Sequence, residues 1–262
     1  MTTFFPQFAN GSVCQFPYRR ITRFRTIYNA MEDGSRFVLQ DPAFSGVRWS
    51  LAFSQLSDSE RIQLQAFFDT VQGRLLPFLF LDPDDNLLKW SEILTQTTWQ
   101  TSPLLNIQDG TSDPLGTRRA STITNTASAP GGLTQIVGIP GSILLCLSLY
   151  ARSLNSSEIT LIRDSGATTR ALSPTWERFS IVQTSSDGSN SSRLGFSISP
   201  GASVDVFGVQ LKAQASPSQY VATMARSGIY PGTRFETDSL TFTSTAPNNH
   251  SCDFTLYSKL SG

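Results

Sequence analysis

Only one stretch of this sequence has the period of a helix. Nearly everything else is short β-branched and aromatic runs, cut by Pro, Gly and Asp. That imbalance argues for a chain built almost wholly of strands. Charged residues make up only 15% of the chain, against about 25% in an average globular protein, and Ser, Thr, Asn and Gln fill the gap. Such a surface suits solvated strand faces better than surface helices. At 262 residues the chain has room for two domains, or for one large sandwich or barrel.

From residue 19 to 28, Ile21, Phe24, Ile27 and Tyr28 alternate roughly with Arg and Thr, and the turn Glu32-Asp33-Gly34 follows. Residues 36–40 return, Asp41-Pro42 is read as a break, and 47–53 form a further strand with Trp49, Leu51 and Phe53 on one face. A three-stranded meander is expected. The helix opens at the capping box Ser57-x-x-Glu60, closes at Gly73, and carries Leu64, Phe67, Phe68 and Val71 at i, i+3, i+4 and i+7. Its stripe covers the meander. Phe67 and Phe68 as a ligand pocket is the weaker reading, because helix-spaced aromatics are usually core. An apolar strand at 77–81 then runs into Asp82-Pro83-Asp84-Asp85-Asn86.

Beyond residue 88 the texture becomes Ser/Thr/Gly-rich. Strands are expected at 121–124, 143–152, 158–163, 176–184, 193–199 and 203–211, separated by Pro130-Gly131-Gly132, Pro140-Gly141, Asp187-Gly188 and Pro200-Gly201. Short strands with regular turns indicate a sandwich. The tail adds two runs, 239–245 and 253–257, too few to fold alone. Because the ends of an inserted domain usually lie close together, the economical arrangement returns this tail to the first sheet.

Several function classes fall away. Twenty basic and twenty acidic side chains cancel, so there is no net field to drive nucleic-acid binding. Arg19, Arg20, Arg23 and Arg25 form the one local basic cluster, read first as a solvated strand face or as interface pairs. Cys14, Cys146 and Cys252 are odd in number and widely spaced, unlike a disulfide framework or metal site. Residues 1–11 lack the pattern of a secretory signal, and the longest apolar run, 143–151, falls short of a membrane span. The expectation is a soluble protein made in a cytoplasm. His250 is the sole histidine, in the turn-like Asn248-Asn249-His250-Ser251, and reads as a surface residue sooner than as part of a Ser-His-Asp arrangement. Asp82-x-Asp84-x-Asn86 imitates a calcium loop, but Leu87 and Ile93 stand where the glycine and the bidentate glutamate belong. Asp109, Asp113 and Asp205 have no ligand spacing, and no pair of acids is set across a cleft as in a glycosidase. No catalytic residue, metal ligand or cofactor is therefore expected.

A resemblance adds to this. The Phe/Tyr-rich start, the Arg/Thr strand at 19–27, the capped helix and Pro77-Phe78-Leu79-Phe80-Leu81-Asp82-Pro83 resemble the N-terminal domain of distal tail and minor tail proteins of phages and gene transfer agents. The run Asn86-Leu87-Leu88-Lys89-Trp90-Ser91-Glu92 with Trp99 resembles the opening of a sandwich module common in phage tail and virion proteins. Thr175-Trp176-Glu177-Arg178-Phe179, Val206-Phe207-Gly208-Val209-Gln210-Leu211 and Pro217-Ser218-Gln219-Tyr220-Val221-Ala222-Thr223 are its other marks. Such modules are similar to jelly-roll carbohydrate-binding modules. The resemblance implies a mainly β chain: a split β-domain with one helix, residues 1–88 plus 226–262, interrupted by a jelly-roll-like β-sandwich at 89–225. It also implies a virion protein assembled in the host cytoplasm, forming a ring at the distal end of the tail. A hexamer is favoured over a trimer, and the partners are the tail tube protein and hub or baseplate proteins. The iron-sulfur ligation of some tail-tip relatives is not matched by three scattered cysteines. A stand-alone glycan-binding adhesin and a tail-associated glycan hydrolase are the competing classes.

Host-surface glycan is a further partner to consider. Sugars offer apolar C–H faces to rings and hydroxyls to planar polar groups. Trp176 and Arg178, two apart, share one side of a strand, with Phe179 and Ile181 on the other, and Tyr150 and Arg152 repeat the arrangement. The competing reading makes Trp176 a core residue with Arg178 along its rim, as Trp is usually mostly buried.

Overall fold

A computed structural model describes residues 3–155, 157–186 and 189–260, without the side chains of 42–44. The expected turn at Asp187-Gly188 lies outside the described residues. The protein is mainly β with one helix, and its sheets are antiparallel. It divides into two compact units: Met1–Ala9, Val13–Leu81 and Ile229–Gly262 form the first, and Asp82–Gly228 with Asn10–Ser12 the second.

The first unit begins with β1 (Arg19–Ala30), β2 (Arg36–Leu56), α1 (Asp58–Val71) and β3 (Phe78–Leu81). The expected meander is corrected here. Asp41-Pro42 does not break the chain: β2 runs 21 residues and pairs with β1 on both sides of that point, with a register shift between Arg23 and Arg25 that absorbs the irregularity. Helix α1 keeps its capping box, with Glu60 N donating to Ser57 Oγ and Ser57 N to Glu60, and leaves through Gln72 in the left-handed region. Leu64, Phe67, Phe68 and Val71 are buried, so Phe67 and Phe68 are core and not a pocket.

In chain order the second unit supplies ten strands: β4 (Gln100–Thr101), β5 (Leu105–Thr111), β6 (Ala120–Asn125), β7 (Gly131–Val137), β8 (Leu145–Arg152), β9 (Glu158–Arg163), β10 (Gly166–Ala171), β11 (Glu177–Gln183), β12 (Ser192–Ile198) and β13 (Ser203–Lys212). They form two five-stranded sheets, β10-β9-β12-β7-β4 and β11-β8-β13-β6-β5, a jelly-roll-like sandwich. Leu145, Leu147, Leu149 and Ala151 of β8 point inward, with Leu133, Leu161, Leu194 and Phe196 among the buried residues of the other sheet. Strands β4, β5, β7 and β10 escape sequence reading. Gly131-Gly132, taken as a turn, begins β7, and β10 is almost without apolar residues.

The chain ends with β14 (Ile229–Phe235), β15 (Thr243–Ala246) and β16 (Asn249–Lys259). Strand β16 lies between β2 and β14, giving the order β1-β2-β16-β14-β3, with β15 on β16. The core of this unit is aromatic: Phe235 packs against Phe68, Phe254 and Phe78 at ring distances of 4.9, 5.1 and 5.4 Å, and Trp49 against Phe80 at 5.0 Å.

Candidate functional site

The four residues offered for glycan recognition come together on the outer face of the sheet β11-β8-β13-β6-β5. Register explains it. Arg178 on β11 stands opposite Tyr150 on β8, and Arg152 on β8 opposite Asp205 on β13, so the side chains share one face while Leu149, Ala151 and Ile181 take the other. Two guanidinium-aromatic stacks result. Arg178 lies 5.3 Å from the Tyr150 ring centre and Arg152 lies 4.8 Å from that of Trp176. Arg178 also donates to Ser148 Oγ at 3.0 Å, and Arg152 to Asp205 at 2.9 Å.

Trp176 differs from both readings of the sequence. It precedes β11, which starts at Glu177, so strand alternation does not place it beside Arg178. Nor is it core: it is half-buried, with its near neighbour the Arg152 guanidinium. Sequence reasoning missed a third stack. Arg119 lies 5.1 Å from the ring of Phe207, which Tyr220 packs edge-on at 5.1 Å. The signal was present in Val206-Phe207-Gly208, because Phe207 falls on the outer face just before a bulge. Gly208 has φ +64, and a Cβ there would press on the Tyr220 ring.

The motif residues of the sandwich form a buried clasp at its ends. Asn86 donates to the carbonyls of Val209 and Val221 and accepts from the N–H groups of Leu88 and Leu211. Ser91 Oγ meets the Tyr220 hydroxyl at 2.8 Å and accepts from Thr223 N, while Gln210 donates to Ser218 O and accepts from Val221 N. Burial pushes the Tyr220 phenol pKa up, so it stays protonated. Asp82 N donates to Gly228 O and Gly228 N to Asn86 O, both at 2.8 Å, which brings the first and last residues of the unit side by side.

The calcium-like loop proves to hold a cation of another kind. Lys212 Nζ donates to the carbonyls of Pro83 and Asp84 at 2.8 and 2.6 Å, so an ammonium satisfies oxygens that a metal would need. Burial lowers the Lys212 pKa, and Asp84, Asp82 and Asp85 oppose that shift. Asp109, Asp113 and Asp205 are likewise engaged separately: Asp109 with Thr95 and Ser121, Asp113 with Thr117, Leu115 N and Arg119, Asp205 with Thr122 and Arg152. Burial alone would raise the Asp113 pKa, but the bonds from Thr117, Leu115 N and Arg119 outweigh it and hold the carboxyl low. Among the described residues no group of three or more His, Cys, Asp or Glu is placed to hold a metal.

His250 is buried, contrary to its reading as a surface residue. Its Nε2 lies 2.6 Å from Asp58 Oδ1 and its Nδ1 2.7 Å from Ser244 Oγ. A carboxylate only accepts, so Nε2 carries a proton and donates to Asp58. The ring nitrogens are exchanged relative to a hydrolytic triad. Asp58 is about half exposed, and it is joined to the β15–β16 turn by reciprocal bonds with Asn248. The arrangement clasps the helix start to that turn. Cys14, Cys146 and Cys252 are free and buried, and burial raises the Cys146 and Cys252 pKa values to about 11 and about 12.

The β1–β2 hairpin is the other feature of note. Outward from Thr26↔Gln40, Tyr28 and Val38 lie on one face and Ile27, Leu39 and Phe37 on the other. All are exposed, Tyr28 by 65% and Val38 by 54%, as is Phe24 by 64%. Arg20 reaches the Tyr230 hydroxyl and Arg25 approaches Asp41, so the arginines of β1 are partly paired along the arm.

No family model matches the chain, and no curated protein matches it. Among solved structures it is similar to the enzymatically active domain of tailspike protein 4 of bacteriophage CBA120, at 13% identity and TM-score 0.40 over 51% of this chain and 22% of that one. It is similar to TmCBM61 in complex with beta-1,4-galactotriose, at 13% identity and TM-score 0.40 over 48% and 97%. The CBM22-1 xylan-binding domain from Paenibacillus barcinonensis Xyn10C matches at 13% identity and TM-score 0.40 over 53% and 99%. The chain spans about a fifth of the tailspike domain's length. Among the described residues no helix is long and apolar enough to cross a membrane.

Proposed function

We propose that this chain is a non-catalytic structural component of a phage-type tail tip. It forms a ring, by resemblance a hexamer, at the distal end of the tail tube, joins it to the hub or baseplate, and binds host-surface glycan weakly through the outer face of its sandwich. The observation that carries the assembly role is the β1–β2 arm, apolar on both faces and exposed on both. A two-stranded ribbon is marginal alone in water, and a contiguous apolar patch of this kind marks an interaction surface. Because both faces need cover, the arm fits between neighbouring copies in a closed ring better than against one flat partner. The glycan role is supported by the stacked guanidinium and aromatic groups of Arg152, Trp176, Arg178 and Tyr150.

The test is the density of assembled particles, with the double variant Phe24→Ser, Val38→Ser beside the native chain. The native chain should occupy a ring below the tube, and the variant should fold but fail to incorporate. Finding the chain only at the capsid, or full incorporation of the variant, rejects the assignment.

A further inference from the structure

Resting on the glycan-binding reading above, we propose that the ligand is an acidic polysaccharide, and that Arg178 is the residue that receives a sugar carboxylate. Three guanidinium groups lie over rings on this face of the sandwich, and two of them are neutralised within the protein. Arg119 pairs with Glu92 at 3.3 Å and Asp113 at 3.1 Å, and Arg152 with Asp205 at 2.9 Å. Arg178 differs. Among the described residues its one hydrogen-bond partner is the neutral Ser148 hydroxyl, it has no carboxylate partner, and its Nε is buried without an acceptor. A half-buried positive charge with no carboxylate beside it favours an anion, which approaches the open end of the guanidinium because Nε is enclosed and Nη2 holds Ser148.

The surroundings narrow the choice further. A face of the Tyr150 ring is already taken by Arg178, and a face of Trp176 by Arg152, so a sugar meets guanidinium groups as well as rings. Tyr150 stands directly across from Arg178 in the strand register, and its hydroxyl makes no hydrogen bond within the described residues. The Arg178 guanidinium carbon lies 5.3 Å from the Tyr150 ring centre. A uronate unit, with ring hydroxyls and carboxylate on one sugar, spans that pair. Arg152, its charge balanced by Asp205, is a positioning residue for Trp176.

The experiment measures binding of the full chain to polygalacturonate and to the same polymer after its carboxyl groups are reduced to alcohols. The acidic polymer should bind roughly tenfold tighter or more, as charge-assisted hydrogen bonds allow, and the margin should shrink as salt is raised. Arg178→Gln should erase the margin, and Arg178→Met, which keeps the stem over Tyr150, should do the same if the Gln variant folds poorly. Arg178→Lys should retain part of it. Arg193→Gln is the control: Arg193 lines a shallow depression on the other sheet with Asp164 and Ser191, and the margin should persist there. Equal binding of both polymers by the native chain overturns the acidic preference and leaves glycan binding standing. Binding of neither polymer, with a blank glycan array, overturns both. A margin that survives in folded Arg178→Gln and Arg178→Met, or vanishes in Arg193→Gln, overturns the assignment to Arg178.

Discussion

The two units solve the problem of a defined core by opposite means. In the first, Phe5, Trp49, Phe53, Phe67, Phe78, Phe80, Phe235 and Phe254 are buried, and buried polar side chains are few. In the second the core is mostly Leu, Ile and Val, while Asn86, Ser91, Asn125, Gln135, Arg163, Gln210 and Lys212 are buried with it. Interlocking rings fix one unit by shape, and buried hydrogen bonds fix the other by direction. Their surfaces contrast as well. The first exposes an apolar ribbon, suited to being covered by protein, and the second exposes stacked guanidinium groups, suited to a polar ligand.

The comparison breaks most readily at Phe235, whose ring meets those of Phe67, Phe68, Phe78 and Phe254 within 6.0 Å. Phe235→Ala should destabilise the first unit by about 3 to 5 kcal/mol. Hydrogen exchange resolved along the chain should show loss of protection in β2, β14 and β16 and little change in β8 and β13. Equal loss in all five strands would mean that the two cores are not independent. Asn86→Ala probes the other mode. It strands the carbonyls of Val209 and Val221 and the N–H groups of Leu88 and Leu211, and about 2 to 4 kcal/mol is expected, the desolvation cost of one or two buried groups left after the neighbours relax. Protection should fall in β13 and the residues around it, with β16 unchanged.

The same contrast governs what was legible in the sequence. Helix α1 could be read to within a residue or two, because its cap and its apolar stripe are both local signals. Long β2 could not, because Asp41-Pro42 looks like punctuation, and pairing to β1 on either side of it is a non-local fact. Strand β10 gave no pattern since both its faces are largely polar, and β4 and β5 hold only short or ragged alternation. At the site, Tyr150, Arg152 and Arg178 could be placed on one face by alternation within strands. The Arg152–Trp176 and Arg178–Tyr150 partnerships depend on the order of β11, β8 and β13, which no spacing reveals. His250 was misjudged for a related reason: its partners Asp58 and Ser244 come from other elements.

A smaller effect should separate ligand surface from core within the second unit. A fully buried Trp would cost about 3 to 5 kcal/mol on truncation, but Trp176 is half-buried and held mainly by the Arg152 guanidinium. Trp176→Ala should therefore lower stability by only about 1 to 2 kcal/mol, the scale of a cation–π contact plus partial burial. Chemical denaturation measures this directly. A loss as large as that for Asn86→Ala would return Trp176 to the core and detach it from the outer face.

The smallest effect expected belongs to a polar clasp of the first unit, and it sharpens the comparison by its pH dependence. The Asp58 carboxyl is held below its ordinary range chiefly by the hydrogen bond from His250, with a further bond from Asn248 N. A carboxylate whose pKa is depressed by folding stabilises the native state above its unfolded value, near 4, and the contribution is lost as pH falls through the lowered folded value. Acidification to pH 3 and below should thus loosen the start of α1 and the β15–β16 turn before the aromatic core responds, because that core holds no titrating group of this kind. Asp58→Asn removes the titration. The variant should be less protected than the native chain at pH 6 in residues 57–61 and 243–250, and the two should converge in acid. Solution exposure of Asp58 and screening by salt keep the difference small. If the gap between native chain and variant is the same at pH 6 and pH 3, or widens in acid, the clasp is not electrostatic, and the first unit is held at that corner by packing alone.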